Sequence, residues 1–492
     1  MKSLTALKAH PKGLWFLFFV EFWERFSFYG ITALLVLYLT AHSGLDFSKS
    51  EAQLIAGSYL TYLYLITAIG GIIADRLIGY QRAVLIGGSI IVLGHICLTS
   101  SFLFAPLFFI GLGCISTGTG LFKANVSVMV GMLYDEEKQY LRSSGFSIFY
   151  AGINIGAAIA TFLVGYVGEV YGWHYGFSLA AFGMISGLIT FKIGCRYMPK
   201  SSNVLNPVMN KKIVLFLPFK LWHLVIVAAL ITVALFALLI PDPQYSKLVI
   251  GISSLILLVY LSKLWFRMRG VDRKRVVMIL IMSIFMLLFW SFNDQILLSL
   301  PLFINKFVNH QFIGLHWETT SIMGCYSLLI MVINPFFAYY VQKFSSKKSG
   351  VAADQTKFAI SLVMEAIAFA ILGLAAIYVG RTALIGMYWI LLFQFFLVFG
   401  ELFISPIGLS LVTRLAPEEL RATMMGTWWT ISAYAGFIGG IIGTFTVRPY
   451  TKTAANVLFA HTYFTIGILA FIAAVVLFVL LPLLKRASEN TI

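Results

Sequence analysis

Six ionisable side chains stand where the surrounding residues leave them no water. Glu21, Glu24 and Arg25 lie in the apolar run that opens the chain, and Lys123, Asp294 and Glu401 lie in three later runs. Each costs about 2.5–3.5 kcal/mol at the centre of a membrane helix, so each must meet an opposite charge or a wet cavity. Glu21, Glu24 and Arg25 are spaced i, i+3, i+4, and Tyr29 falls one turn beyond Arg25. All four share one helix face, which must look at other charges or water and not at lipid. A further acid, Glu365, sits nearer the end of its run.

The signs suggest a chemistry. Arg25 and Lys123, in the first half of the chain, offer cations beside two carboxylates. Asp294 and Glu401, in the second half, are acids only. A cavity between two such halves would be dipolar and would suit a zwitterion, its ammonium at Glu401 and its carboxylate at Arg25 or Lys123. Neighbouring carboxylates also suit a proton carrier. There is no GxxxxGK-type phosphate loop and no HExxH or nucleophile–base set, so ATP-driven pumping and enzymatic hydrolysis are disfavoured. No cofactor is expected, and the energy source would be a proton gradient. Cys97, Cys114, Cys195 and Cys325 form no CxxC pair and read as packing residues. His95, His174, His310, His316 and His461 show no metal spacing, so no metal is expected.

The elements that position these charges follow from hydropathy. The chain has 492 residues, 60% hydrophobic and 11% charged, with a mean hydropathy of +0.92. A soluble protein cannot hide that much apolar surface. Runs of about 20 or more apolar residues predict fourteen membrane helices, from 13–41 and 51–75 through 216–240, 247–267 and 275–308 to 456–484. The first run is too long and too charged for a signal peptide and lacks a small-residue cleavage site, so it reads as a retained span. The net charge of +16 comes from basic loops on one side, which points to membrane orientation and not to nucleic acid. With the N-terminus inside, only Lys49, Lys247, Lys306, Arg381, Arg448 and Lys452 fall outside. Both termini are therefore expected in the cytoplasm.

The second span ends GGIIADRLIGYQR, Gly70 to Arg82. Asp75 and Arg76 open a turn at Gly79, with Arg82 beyond. This resembles the G-x-x-x-D-R-x-G-x-K/R loop of the major facilitator superfamily. The resemblance implies two six-helix bundles that rock about a central site. The apolar pair at 216–240 and 247–267 carries no mid-span charge and reads as an insertion. The expected organisation is an N-terminal bundle over 1–200, an inserted helix pair with cytoplasmic linkers over 201–270, and a C-terminal bundle over 271–492.

The resemblance then narrows. EFWERFSFYG (Glu21 to Gly30) resembles the E-x-x-E-R-F-x-Y-Y-G motif of the proton-coupled oligopeptide transporters. GTGLFKAN brings Lys123 at the place of the family's G-x-G-x-F-K-P-N. FYAGINIG brings Tyr150 and Asn154 in the F-Y-x-x-I-N-x-G signature. FWSFNDQ supplies Trp290 and Asp294. GELFISPIGLSLVTRLAP supplies Glu401 and Ser405, and MMGTWWTISAYAGFIGG supplies Trp428. GWHYGFSLAAFGM follows in order, and the inserted helix pair is similar to the prokaryotic branch.

Membership would imply a proton-coupled symporter importing di- and tripeptides by alternating access across a bacterial inner membrane, working as a monomer. Glu21, Glu24 and Arg25, with Asp294, would couple protons. Arg25, Lys123 and Asn154 would meet the peptide carboxylate and Glu401 its ammonium, with Lys123 and Glu401 pairing in its absence. Tyr29, Tyr64, Tyr150, Trp290, Trp428 and Ser405 would line the substrate, and Asp75, Arg76 and Arg82 would form the gating loop. The chain departs from the pattern at Phe28, Thr32, Ala124, Ser143-Ser144 and Tyr326-Ser327. Phe28 removes a hydroxyl. Thr32 replaces an arginine expected to pair with Asp294. Tyr326 replaces an asparagine expected to face substrate. These departures motivate an alternative cargo, a non-peptide zwitterion or a drug-like amine. A non-transporting receptor or scaffold is the reading from another class, and unpaired mid-span charges argue against it.

Overall fold

A computed structural model describes residues 9–134, 136–205, 220, 222–345, 351–382, 384–417, 420–447 and 455–489. Lys2, Lys8, Lys211, Lys212, Lys347, Lys348, Arg448 and Lys452, and the first residues of the expected seventh span, lie outside the described residues. The described chain is helical almost throughout. In order the helices are α1 (Lys12–Thr40), α2 (Lys49–Leu65), α3 (Thr67–Ile73), α4 (Tyr80–Thr99), α5 (Pro106–Met132), α6 (Arg142–Tyr171), α7 (Trp173–Gly194) and α8 (His223–Leu239). They continue as α9 (Pro243–Arg267), α10 (Gly270–Asn293), α11 (Leu300–Phe307), α12 (Thr319–Ser345), α13 (Val351–Thr382), α14 (Tyr388–Leu415), α15 (Arg421–Thr444) and α16 (Ala455–Glu489). A two-stranded hairpin, β1 (Gln311–Phe312) with β2 (Leu315–His316), interrupts them between α11 and α12.

Among the described residues twelve helices are long and apolar enough to cross a membrane. To these are added α1, whose 29 residues carry the three charges, and the shorter apolar α8. The fourteen expected spans are thus present among the described residues, making an all-α membrane protein. Two expected spans are not single rods. Span two breaks at Ile66 into α2 and α3. Span nine breaks after Asp294 into α10 and α11. Pro301 has no N–H to give the Leu297 carbonyl, so the ladder cannot run through. Instead the N–H groups of Leu297 and Leu298 both donate to the Asp294 carbonyl, at 3.0 and 3.1 Å. The break puts Asp294 at a helix end and not at mid-helix.

The chain forms two compact units, one of Met1–Tyr38 with Tyr62–Asp242, the other of Leu39–Thr61 with Pro243–Ile492. In the first unit the helices approach closely along glycine seams. A Cβ on Gly87 would lie 2.6 Å from the Gly118 carbonyl oxygen, and one on Gly118 would lie 2.5 Å from that of Gly87. Small residues let backbones touch where lipid gives no hydrophobic drive to helix association. Gly70 is the tightest case, because its Cβ would stand 2.0 Å from the Gly120 carbonyl oxygen, whereas one on Gly71 would meet nothing within 4 Å. Gly70→Ala is therefore expected to cost about 1–3 kcal/mol by overpacking and to lower the thermal unfolding midpoint. Gly71→Ala is the matched control and should leave it unchanged. Equal midpoints for the two variants would refute the seam.

The second unit has an apolar core drawn from α10, α13, α14, α15 and α16, with Met282, Phe285, Phe289, Leu362, Trp428 and Leu477 among its buried members.

The first unit is closed at its N-terminal edge by His10. Its Nδ1 hydrogen-bonds the Tyr134 hydroxyl at 2.9 Å, and its Nε2 lies 3.4 Å from Ser144 Oγ. Ser144 stands in the stretch where the sequence lacks an expected acid. Burial holds the His10 imidazole below the ordinary histidine range and pushes the Tyr134 phenol up to about 12. An unfolded histidine titrates near about 6.5, so below that pH the unfolded chain takes the proton first. The contribution of neutral His10 is full above that value and shrinks as pH falls. His10→Gln should flatten the acid limb of unfolding midpoint against pH below about pH 6.5. Parallel curves for the two proteins would remove His10 from the account.

Candidate functional site

The charged cluster of α1 is sealed. Glu21, Glu24 and Arg25 are each only 2% exposed. Arg25 grips Glu24 with two donors, Nε to Oε2 and NH2 to Oε1, the latter at 2.5 Å. Its Nε also lies 3.5 Å from Glu21 Oε1. The second oxygen of Glu21 is buried with no hydrogen-bond partner among the described residues. One cation thus serves two carboxylates, and one carboxylate oxygen is left over. A bidentate guanidinium–carboxylate pair is among the strongest protein contacts, yet a buried unpartnered oxygen is costly. That imbalance is what a group accepting a proton would relieve.

The local sequence explains how α6 comes so near. A Cβ on Gly156 would sit 2.4 Å from the Phe22 carbonyl oxygen and 3.3 Å from Arg25 Cβ. The glycine of the FYAGINIG stretch therefore lets α6 lie against the backbone of the charged turn. The Asn154 amide, two residues earlier, donates to the Tyr150 carbonyl at 3.1 Å, so one of its two N–H donors is occupied within its own helix.

The departures from the family pattern acquire physical reasons here. Phe28 is not an open wall lacking a hydroxyl. It is 3% exposed, and Arg25 Cζ lies 4.8 Å from its ring centre, a cation–π contact in a desolvated place. The Thr32 hydroxyl turns back to the carbonyls of Phe28 and Tyr29, at 3.1 and 3.3 Å. It supplies no side-chain partner to any acid.

The three charges are closed off, while Tyr29, Tyr64, Lys123 and Tyr150 are each partly exposed. Lys123 Nζ sits 4.5 Å over the Tyr64 ring centre. An ammonium over an aromatic face in place of a carboxylate is stabilised and still keeps donors to offer.

In the second unit the acids stand on three different helices, Asp294 at the end of α10, Glu365 in α13 and Glu401 in α14. The Tyr326 hydroxyl donates to Glu401 Oε2, and the Asn293 amide donates to the Tyr326 oxygen at 3.3 Å. Asn293, Tyr326 and Glu401 thus form one chain of donors ending on a carboxylate. Sequence reasoning assigned Glu401 but missed Tyr326 as its partner and overlooked Asn293. The signal was the replacement at Tyr326, which was read as a loss. Asp294, next to Asn293, forms no ion pair among the described residues. Trp290 and Ser405 are partly exposed, Ser405 one turn beyond Glu401. Trp428 is 3% exposed and belongs to the apolar core, where its ring packs. Glu365 is fully buried in α13, and neither of its carboxylate oxygens has a hydrogen-bond partner among the described residues.

The loop after α3 holds a finding of its own. Two residues, Leu77 and Ile78, separate Arg76 from Gly79, one more than in the superfamily pattern. The chain absorbs the extra residue as a π-helical turn over Ala74–Ile78. Gly79 then turns with φ +80°, a conformation glycine adopts without strain. The Tyr80 hydroxyl donates to Asp75 Oδ1 at 2.6 Å. Arg82 NH1 donates to the carbonyls of Ile78 and Asn203, at 3.2 and 3.3 Å. The loop is thereby tied to the segment that follows α7.

Among the described residues, fourteen apolar helices, a sealed carboxylate–guanidinium cluster and further charges at partly exposed helix positions make the frame of a membrane transporter. Comparison with known proteins narrows the class. The profile of the POT family matches residues 81–461. A peptide transporter of Yersinia enterocolitica, YePEPT, is 34% identical over 98% of this chain and 96% of its own length. A di-/tripeptide transporter of Lactococcus lactis is 31% identical over 99% of both chains. The crystal structure of a peptide transporter POT in complex with sulfate is 31% identical, with a TM-score of 0.83 over 97% of this chain and 96% of that one. This chain belongs to the POT family.

Proposed function

We propose that this protein is a proton-driven symporter of di- and tripeptides in a bacterial inner membrane, with both termini cytoplasmic, and that it works as a monomer. The observation that carries the reading is the sealed Glu21–Glu24–Arg25 cluster in a POT-family chain, with one guanidinium for two carboxylates. Names of its relatives, a peptide transporter and a di-/tripeptide transporter, support the cargo. Protonation of Glu21 or Glu24 would weaken its hold on Arg25. The guanidinium then becomes available to a peptide carboxylate, with Lys123 as a second cation for the same group. Glu401, steadied by Tyr326, takes the peptide ammonium. Tyr29, Tyr64, Tyr150, Trp290 and Ser405 contact the peptide, and Asp294 takes part in proton coupling. Asp75, Arg76 and Arg82 brace the loop that must bend as the conformation changes. The organisation into bundles over 1–200 and 271–492, with an inserted pair over 201–270, belongs to the same proposal.

The test is uptake of labelled dipeptide into liposomes holding the purified chain. Uptake should rise when an inward proton gradient is imposed and fall when an ionophore collapses it. Uptake indifferent to the gradient would end the coupling reading. A second cargo class, a non-peptide zwitterion or drug-like amine, is favoured by one observation: Tyr326, which stands where the family pattern has a substrate-facing asparagine, donates its hydroxyl to Glu401 Oε2. Thermal stabilisation by a panel of dipeptides, amino acids and amines separates the two. Stabilisation by amines alone would favour the second.

A further inference from the structure

The hairpin between α11 and α12 gathers donor atoms that transport leaves unused. Gln311 pairs with His316 and Phe312 with Leu315. Ile313 at φ 52° and Gly314 at φ 73° make the turn, the left-handed pair that matches strand twist in a tight hairpin. The Trp317 N–H extends the ladder to the His310 carbonyl at 2.9 Å. At the base, Asn309 N–H donates to the Ile385 carbonyl at 2.7 Å, and Ile385 N–H donates to that of Phe307 at 2.9 Å. Backbone bonds therefore fix the hairpin both along its length and at its foot.

On this frame His310, His316 and Glu318 converge. One imidazole nitrogen from each histidine and one carboxylate oxygen all lie within 4.8 Å of one another. The two imidazoles stack at 5.6 Å with 24° between their planes, and His316 Nε2 is 3.5 Å from Glu318 Oε1. His310 Nδ1 donates to the Trp317 carbonyl at 2.7 Å. That bond leaves the proton on Nδ1 and the lone pair on Nε2, the outer support that metal-bound imidazoles commonly have. His316 Nδ1 lies 3.3 Å from the Gln311 amide, which by turning over can accept a proton from the ring in the same way.

We propose that His310, His316 and Glu318 form a three-ligand site for a divalent transition-metal cation of the zinc type, with solvent completing the coordination. Two imidazoles and one carboxylate suit Zn²⁺, Ni²⁺ or Cu²⁺, whereas Mg²⁺ and Ca²⁺ ask for oxygen ligands. Metal–ligand distances of about 2.0–2.2 Å require the donor atoms to draw closer than they stand. His316 is exposed and free to rotate inward. The Glu318 carbonyl accepts the Ile322 N–H at 3.0 Å, so a bound cation would staple the hairpin to the first turn of α12, the helix that carries Tyr326.

The test is calorimetric titration of the purified full chain with zinc chloride, without peptide or gradient. One saturable site is expected. His316→Ala and His310→Ala should each weaken it at least about tenfold, and binding should also weaken at acidic pH, because only neutral imidazoles ligate. His42→Ala, whose ring pairs with Asp46 outside the cluster, should keep the wild-type affinity. Cobalt in place of zinc should give the strong visible absorption of a low-coordinate site, lost in His316→Ala. His316 is exposed, so that variant should fold even if His310→Ala does not. Absence of saturable binding, or binding that survives His316→Ala and vanishes in His42→Ala, overturns the site. Neither outcome bears on peptide transport, which is measured separately.

Discussion

Arg25→Lys is expected to leave the protein folded and to cut proton-driven peptide uptake roughly 10- to 150-fold. Lysine keeps the charge but loses the planar fork that holds Glu24 through two donors and reaches Glu21 at 3.5 Å. A hydrogen bond to a charged group contributes about 1.5–3 kcal/mol, and each 1.4 kcal/mol is about tenfold. Arg25→Ala should fare worse. It strands two carboxylates that are each 2% exposed without a cation, and breaking a buried pair from one side costs about 3–5 kcal/mol. That variant should show a lowered unfolding midpoint and no measurable uptake. Glu21→Gln is the complementary probe. It removes a charge whose second oxygen has no hydrogen-bond partner among the described residues, so it should fold at least as well as wild type while uncoupling uptake from the gradient. Wild-type uptake by Arg25→Lys would show that the fork geometry is irrelevant to transport.

Glu401→Gln should abolish concentrative uptake, and Tyr326→Phe should raise the peptide KM about tenfold or more while changing kcat less. The Tyr326 hydroxyl donates to Glu401 and is itself held by Asn293 at 3.3 Å. Loss of the phenol frees the carboxylate to leave the rotamer in which a peptide ammonium finds it, at the same cost of about 1.5–3 kcal/mol for a charge-assisted bond. A purely packing role for Tyr326 predicts no change in KM, because phenylalanine fills almost the same volume. Tyr326→Asn restores the residue type of the family pattern and should shift the ranking of substrates, most for those with altered amino termini. An unchanged ranking would show that this position does not select cargo. Kinetic uptake assays in liposomes measure all three variants.

Much of this was legible in the chain because membrane insertion imposes one strong rule. Helices must be long and apolar, and any charge within them needs a partner. Hydropathy therefore revealed the spans, and the i, i+3, i+4 spacing of Glu21, Glu24 and Arg25 placed them together. What spacing could not say was whether that shared face was open or closed. Closure depends on Gly156 of α6 admitting its backbone to the Phe22–Arg25 turn, and on Phe28 standing beside the guanidinium. Both are contacts between residues distant along the chain or set by side-chain rotamers.

The same limit explains the misread details. Asp294 stands inside span nine, as its place in the apolar run implies, but only the structure shows that the break before Pro301, which lacks an N–H, leaves it at the end of α10. Tyr326 read as a lost asparagine, because only folding brings it to Glu401, in another helix. His310, His316 and Glu318 showed no ligand spacing along the chain, and a positive-φ turn at Ile313-Gly314 folded them together. Sequence alone determined the class, the helices and the identities of the chemical groups, because hydropathy and helical periodicity are local properties. Tertiary structure alone decided which of those groups are sealed, which are paired and which remain open to a ligand, because burial and hydrogen bonding depend on neighbours that local sequence does not specify.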